Sequence, residues 1–222
     1  MTQVLPLVEP DREALRELAS TDALSAPFLE EGWVSAWIDA FRPAAPLLLG
    51  ARENGGRLVG LAALQRLTES WAGQRIAVVQ SLTNVECTRY DFLATGNDVQ
   101  EALLRFLCKA GYADLIRLDH LPDESPTLAI AQTLAKQLGW RCHLEQTFDS
   151  PWRPLGTTPE TWDEGLDRKF KSNLRNREKR LDKLGAVTFE VATASTGLET
   201  ALQAYYELDT ESWKSQNGSA VF

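Results

Sequence analysis

Hydrophobic side chains near the N-terminus recur at helical spacing in two segments. Residues 10–19 predict a short helix with Leu15 and Leu18 on its buried face. A second helix is predicted from Ser25 onward. Its large aromatic side chains fall at i, i+4 and i+8, so that they share one face: Trp33, Trp37 and Phe41. Both helices therefore have an apolar side that can pack against another layer.

Strand-like patterns dominate the middle of the chain. Residues 47–52 and 57–64 flank Asn54-Gly55-Gly56, and Asn-Gly is a strong hairpin signal because both residues tolerate positive φ. Further strands are predicted at residues 74–82, 90–94, 113–118 and 141–148, and helices at residues 99–110 and 126–138. This order predicts an α+β or α/β domain, a mixed sheet flanked by helices, over residues 1–155.

A long amphipathic helix with a concentration of positive charge is predicted after this domain. Its start signals are Thr157, Pro159 and Glu160, and Gly185 ends it. Residues 168–183 include eight basic and two acidic side chains, a net charge of +6; the whole chain carries −8, so the remainder carries −14. A strand at residues 186–191 and a last helix that ends in Ser212-Trp213-Lys214 are predicted to follow.

The basic side chains of this helix admit more than one role. One stripe is purely basic: Arg168, Lys171, Arg175 and Lys179. It is either a solvated face or a docking surface for an anionic ligand such as coenzyme A, a lipid head group or an acidic glycan. Arg177 falls in the middle of the apolar face, where an unpaired cation is costly. Its partner is then either a carboxylate or an anionic substrate.

The composition is that of an ordinary globular protein, with 44% hydrophobic and 24% charged residues. The net charge of −8 argues against general affinity for nucleic acid or membranes. Three scattered cysteines and two histidines suggest neither a disulfide framework nor a metal site. The N-terminus lacks a signal-peptide pattern, and no apolar run is long enough for a membrane span. A reducing, cytoplasmic location fits best.

Several stretches together resemble a known enzyme family. They are Pro27-Phe28 with Trp33 and Trp37, Gly56-Arg57-Leu58-Val59-Gly60, Asn84 with Tyr90-Asp91-Phe92-Leu93, and the runs KFKSNLRNREKRLDKLGAVTFEVAT and LETALQAYYELDTESWKSQNGSA. In this order they resemble the tandem GNAT-fold acyltransferases of the CelD-like, cellulose-biosynthesis type, which are related to the FemAB aminoacyl transferases. The resemblance spans most of the chain, although each motif alone is degenerate.

The resemblance implies a domain layout and a reaction. Residues 1–155 would be a first GNAT-like domain, residues 156–185 a basic linking helix, and residues 186–222 the opening strand and helix of an incomplete second GNAT-like domain. The family reaction is transfer of an acyl group, here expected to be acetyl, from coenzyme A to an amine or hydroxyl acceptor, with a polysaccharide or envelope precursor as a candidate.

The same resemblance implies that the chain is cut short. Family members continue well beyond the Ser-Trp-Lys motif, so acetyl-CoA is expected as the donor of the complete fold but not as a tight ligand of this chain alone. The alternative is a non-catalytic module that binds a small-molecule or glycan acceptor or a protein partner. The unpaired strand at residues 186–191 is expected to join the first sheet, to be covered by the last helix, or to pair with another chain in a homodimer.

One stretch has the letters of the family's diphosphate-binding loop, [Arg/Gln]-x-x-Gly-x-[Gly/Ala]. Such a loop holds the diphosphate of coenzyme A on backbone N–H groups at a strand-to-helix turn. Residues 57–62, Arg-Leu-Val-Gly-Leu-Ala, match the letters. They follow a hairpin turn and lie inside a predicted strand, whose N–H groups are needed for the sheet. An ordinary strand is therefore the prediction here.

The residues predicted to line an acceptor cleft come from both halves of the chain: Trp33, Asp91, Arg177, Trp213 and Lys214. The sequence does not predict which residue would act as a catalytic base. Asp91 is either a base with a raised pKa or a carboxylate paired with a neighbour such as Arg89. Trp213 is either core packing or a wall of the cleft, with Lys214 projecting past it as a charge anchor.

His120 follows a predicted strand at its carboxyl end, where site residues of α/β sheets are common. It is either a site residue or a turn residue.

Overall fold

The computed structural model describes residues 2–7, 12–21, 27–84, 87–149 and 165–216. The chain divides into two compact units, Met1–Asp149 and Ser150–Phe222.

A six-stranded mixed sheet forms the centre of the first unit in the part of the chain that the structure describes. Its strands are β1 (Gln3–Leu7), β2 (Pro46–Arg52), β3 (Leu58–Trp71), β4 (Gln74–Ser81), β5 (Leu93–Ala94) and β6 (Leu115–Arg117). They lie in the order β1-β2-β3-β4-β6, and β5 pairs with β3. The β4–β6 pair is parallel and the other pairs are antiparallel. The predicted fold class is confirmed.

Four α-helices and a short 3₁₀ helix flank this sheet among the described residues. They are α1 (Arg12–Thr21), the 3₁₀ helix Pro27–Leu29, α2 (Glu31–Phe41), α3 (Asn97–Lys109) and α4 (Pro126–Leu138). The predicted start of α2 at Ser25 lies outside the described residues. Within α2, Val34 and Trp37 are buried whereas Trp33 and Phe41 are exposed. The predicted aromatic face therefore lies at the edge of the core, with Trp37 as its buried member.

The strand β3 is longer than predicted and has two parts. Leu58–Leu64 are buried without interruption, which indicates cover on both faces of the sheet. Residues 65–71 alternate between half-buried and exposed, and they reach a second hairpin at Ala72-Gly73, where φ is 49° and 81°. A Trp-Ala-Gly turn carries a weaker sequence signal than the Asn-Gly turn that precedes β3, so the prediction stopped the strand at the end of its apolar run.

Helix α3 packs against β3 at unusually close range because residue 60 has no side chain. A Cβ at Gly60 would lie 2.6 Å from Val99 Cγ1 and 3.2 Å from both Ala51 Cβ and Leu103 Cδ1. The glycine in the diphosphate-loop pattern therefore serves helix–sheet packing. Around this contact lies the buried core, which includes Leu15, Leu18, Leu49, Leu61, Phe92, Leu103 and Leu107.

The predicted strand at residues 141–148 is wrong. Residues 141–149 have no regular structure and are exposed. Alternation supplies the correct side-chain period, but a strand also needs a partner whose N–H and C=O groups complete its ladder. The described residues provide none for this segment.

The second unit contains three helices among its described residues. They are α5 (Arg168–Asp182), α6 (Leu198–Glu211) and α7 (Trp213–Gln216). Asp167 caps α5, because its Oδ1 accepts hydrogen bonds from the N–H groups of Lys169 (2.8 Å) and Phe170 (3.1 Å). The earlier start predicted at Thr157 lies outside the described residues.

The predicted strand at residues 186–191 is also wrong. The segment is irregular, and its alternating apolar side chains are exposed, Phe189 to 91%. It is neither paired in a ladder nor covered by the last helix, so these two expectations are wrong. The third expectation, pairing with another chain in a homodimer, stays a prediction. Helix α5 likewise leaves both faces exposed. No helix in the described part of the chain is both long and apolar enough to cross a bilayer.

Candidate functional site

The carboxyl ends of the parallel strands β4 and β6 carry a cluster of polar side chains. The ladder between the strands ends at the pair Gln80–Arg117. Beyond it, Gln80 Nε2 donates to Asp119 Oδ2 (2.9 Å), and the Asp119 N–H donates to Ser81 Oγ (3.0 Å). Ser81 Oγ also lies 3.2 Å from Thr83 Oγ1. Side chains thus close the gap that strand ends of this kind often leave for a ligand.

The segment 87–92 packs beside this cluster. The Tyr90 N–H donates to the His120 carbonyl (3.0 Å), which ties the segment to the residues that follow β6. Tyr90 and Phe92 are fully buried and their rings meet edge to face, 6.1 Å apart. Burial, with smaller contributions from the charges of Asp91 and Cys87, raises the pKa of Tyr90 well above its usual value. Tyr90 is therefore a core residue and neutral.

Asp91 is buried and hydrogen-bonded on Oδ1. It accepts the Thr127 hydroxyl at 2.6 Å and its neighbour's Phe92 N–H at 2.8 Å. Thr127 lies in the first turn of α4, so this carboxylate joins the segment 87–92 to that helix. Arg89 forms an ion pair with Glu124 (Nη2–Oε1 2.7 Å), and the pKa of Glu124 is lowered by a backbone hydrogen bond and by that pair. Asp91 accordingly suits a positioning role better than that of a base.

Trp33 of α2 lies near Cys87 of the same segment. Its ring meets Phe28 edge to face at 5.0 Å, and its indole lies close enough to the Cys87 thiol to lower the pKa of that thiol. The thiol itself donates to the Arg89 carbonyl (3.8 Å). Burial raises the pKa of the Cys87 thiol, and the neighbouring Trp33 indole and Arg89 carbonyl oppose this only in part. Since 38% of Trp33 is exposed, it both covers Cys87 and offers an aromatic surface to solvent.

His120 adopts the left-handed conformation, with φ of 64°, and its ring lies 5.4 Å from that of Phe148. This is the geometry of a turn residue at the end of β6.

The sequence that resembles a diphosphate loop is part of β3. Gly60 is paired with Ala51 on one side and Ala94 on the other, so the surrounding N–H groups belong to a sheet. The prediction of an ordinary strand is confirmed. A strand-to-helix turn does occur between β5 and α3, at Gly96, but Asp98 stands in the first turn of that helix. A carboxylate there repels an anion at the helix N-terminus.

The remaining predicted site residues lie in the second unit. Arg177 is exposed on α5. The predicted need for an anionic partner rested on burial of this cation, so that argument does not apply. Trp213 is 67% exposed at the start of α7, and Leu202 is exposed on α6. The described residues of this unit thus provide no core around Trp213. Lys214 Nζ lies 3.8 Å from Oδ1 of the buried Asp209.

The structure therefore places Trp33 on α2 and Asp91 in the segment 87–92, both in the first unit, and it places Arg177, Trp213 and Lys214 in the second unit. Sequence reasoning missed Gln80, Ser81, Thr83 and Asp119. The available signal was the run of polar residues directly after two strands, Gln-Ser-Leu-Thr-Asn and Arg-Leu-Asp-His. It could not be used because the parallel pairing that brings the two strand ends together depends on tertiary structure.

Comparison with known proteins agrees with the GNAT part of the resemblance. Residues 168–222, about a quarter of the chain, match the family model of an acetyltransferase (GNAT) domain. The match includes α5, α6 and α7, and therefore Arg177, Trp213 and Lys214. No curated protein matches the sequence.

Solved structures of acetyltransferases show only distant likeness. An acetyltransferase from Trypanosoma brucei is 20% identical with a TM-score of 0.44, over 68% of this chain and 100% of that one. A ribosomal-protein-alanine N-acetyltransferase from Brucella melitensis is 17% identical with a TM-score of 0.41, over 68% and 100%. An aminoglycoside 6'-N-acetyltransferase from Acinetobacter baumannii is 13% identical with a TM-score of 0.38, over 70% and 100%.

Proposed function

We propose that this protein is a GNAT-type acyltransferase of the CelD-like group that moves an acetyl group from acetyl-CoA to an amine or hydroxyl acceptor. The match of residues 168–222 to a GNAT acetyltransferase domain carries the proposal. The candidate acceptor is a small molecule or a glycan, such as a polysaccharide or envelope precursor. The first unit would hold the acceptor.

Such a transfer does not require a covalent intermediate with the protein. The acceptor must be positioned, must lose its proton, and the thioester oxyanion must be stabilised by an N–H donor. In this proposal Trp33 is an aromatic contact for the acceptor, and Asp91 fixes the segment 87–92. Arg177 and Lys214 supply positive charge for an anionic ligand, and Trp213 supplies an apolar surface.

A binding module without an acyl-donor site is the second candidate, and two observations favour it. The diphosphate-loop letters of residues 57–62 belong to a sheet, and side chains close the carboxyl ends of β4 and β6. The first unit would then recognise an acceptor or partner without catalysing transfer.

Calorimetric titration of acetyl-CoA into the purified full chain separates the two candidates. The transferase predicts micromolar binding and slow release of free coenzyme A when amine or sugar acceptors are added. Absence of heat at millimolar acetyl-CoA would leave the binding module as the better description.

Two matched variants test the cationic contact. Arg177→Gln and Arg175→Gln each remove one charge from α5, but from different faces. A specific contact predicts that Arg177→Gln weakens acetyl-CoA binding more than Arg175→Gln does. Equal losses that disappear in high salt would indicate general attraction by the basic helix and would remove Arg177 from the site.

A further inference from the structure

One face of the sheet in the first unit carries polar and aromatic side chains across three strands. Side chains alternate between the faces of a strand, so Glu69 and Trp71 of β3 share a face. Glu69 is paired with Ile76, which lies on the same face as Gln80 of β4, and Gln80 is paired with Arg117 of β6. We name this set the polar strip: Glu69, Trp71, Gln80, Arg117 and Asp119.

The centre of the strip is a bidentate ion pair between Glu69 of β3 and Arg117 of β6, which reaches across β4. Arg117 Nη1 lies 2.8 Å from Glu69 Oε1, and Nη2 lies 3.0 Å from Oε2. The Arg117 guanidinium lowers the pKa of Glu69, so that both groups are charged at neutral pH. Val78 lies on this face between them and is fully buried, although it is not part of the main core cluster. The planar pair therefore forms a flat polar floor over an apolar residue.

Each end of the strip adds a different kind of contact. At one end, Gln80 donates to Asp119 (2.9 Å) and so presents an amide and a carboxylate side by side. At the other end, Trp71 is 66% exposed beside the hairpin turn. Its indole packs against too little of the protein to be explained by the core. The distance along β4 from Gln74, opposite Trp71, to Gln80 is about 20 Å, at about 3.3 Å per residue.

We propose that the polar strip binds a neutral or amino-bearing oligosaccharide. Planar groups with fixed donors and acceptors suit vicinal hydroxyls, and an exposed indole suits the apolar face of a sugar ring. The strip holds two carboxylates and one guanidinium, a net charge of −1, which disfavours uronic acids and phosphorylated sugars. The inference deepens the proposed function by naming the acceptor class, and it rests on that function only in calling the glycan an acceptor.

The test uses the full chain without acetyl-CoA and three probes of matched length: cellotetraose, the glucosamine tetramer and the galacturonic acid tetramer. Binding is followed by calorimetry and by backbone amide shifts in NMR spectra. The strip predicts saturable binding of one or both of the first two probes, with the largest shifts in β3, β4 and β6, and no binding of the acidic probe. Binding of the acidic tetramer as tightly as the other two, binding that leaves the amide shifts of β3, β4 and β6 unchanged, or no binding by any probe would overturn it.

Variants identify the surface. Trp71→Ala should weaken binding about tenfold, because it removes the stacking surface. Phe41→Ala is the matched control: it removes another exposed aromatic side chain, on α2, and should leave the affinity unchanged. Arg117→Lys keeps the charge but loses the paired hydrogen bonds and should also weaken binding. Equal effects of Trp71→Ala and Phe41→Ala would contradict the strip.

The oligosaccharide experiment and the acetyl-CoA titration test separate claims, so either claim can be refuted without the other. Acetyl-CoA binding without oligosaccharide binding would remove the strip and leave the transferase. Oligosaccharide binding without acetyl-CoA binding would leave the strip as the surface of a binding module.

Discussion

Asp91 accepts hydrogen bonds from two donors on different elements, the Phe92 N–H and the Thr127 hydroxyl. A buried carboxylate in such a position holds two pieces of chain in register, because removing a donor leaves the oxygen less well satisfied in a medium that water does not reach. The bond at the start of α4 thus fixes the segment 87–92, and with it the contact between Cys87 and Trp33.

Thr127→Val should therefore destabilise the fold by about 1–3 kcal/mol, since it deletes a donor to a buried charged group at nearly constant volume. Thr133→Val provides the control on the same helix, where the exposed hydroxyl bonds only to the Ala129 carbonyl; its effect should stay within about 0.5 kcal/mol. Urea denaturation measures both. Similar midpoints for the two variants would show that the Asp91–Thr127 bond contributes little.

Cys87 should react slowly with thiol reagents in the native protein. It is buried, and burial raises the pKa of its thiol, so that little thiolate is present near neutral pH. Cys142 is exposed and should be labelled first in a timed maleimide reaction read by mass spectrometry. Trp33→Ala removes the cover over Cys87 and should accelerate its labelling while the rate at Cys142 stays constant. Rapid labelling of Cys87 in the unmodified chain would contradict this description.

At the scale of elements, the contact between α3 and β3 depends on a missing side chain. Gly60→Ala should destabilise the protein by about 1–3 kcal/mol, because the added methyl would meet Val99 at 2.6 Å in a packed core. Gly32→Ala, in α2, is the control, since a Cβ there would meet nothing within 4 Å; it should be neutral or stabilise by up to about 1 kcal/mol. Denaturation midpoints compare the two. Tolerance of Gly60→Ala would mean that α3 can shift.

Helix α4 and residues 141–148 show which elements sequence could predict. The bounds of α4 follow from local chemistry: Ser125 caps its start, Pro126 takes the first position, and Gly139 ends it with a positive φ of 75°. The segment 141–148 has an alternating pattern but no partner strand in the described part of the chain, so local chemistry alone did not make it a strand. Hairpins and helix caps form between residues close in sequence, whereas a strand ladder can need a partner that is distant along the chain.

At the scale of the whole molecule, the two units differ in how much apolar surface they bury. The first has a continuous apolar core. Among the described residues of the second unit, Asp209 alone is buried, and it is polar. Hydrogen exchange should therefore show the strongest amide protection in β2, β3 and β4 and much weaker protection in α5 and α6, because stability against opening follows buried contacts. Equal protection in α5 and β3 would show that other parts of the chain cover the basic helix.

The sequence by itself determined the local features of this protein. Periodicity and capping residues placed the helices, Asn-Gly placed one hairpin, the order of elements indicated a mixed sheet, and the position of residues 57–62 after a hairpin argued against a phosphate-binding loop. Tertiary structure decided which pieces meet. It paired β4 with β6 in parallel, closed their ends with Ser81 and Asp119, joined Asp91 to Thr127, and set Glu69 against Arg117 across a third strand. The reason is physical: turns and caps are made by neighbours in sequence, whereas strand pairing and buried polar contacts join residues that are distant along the chain.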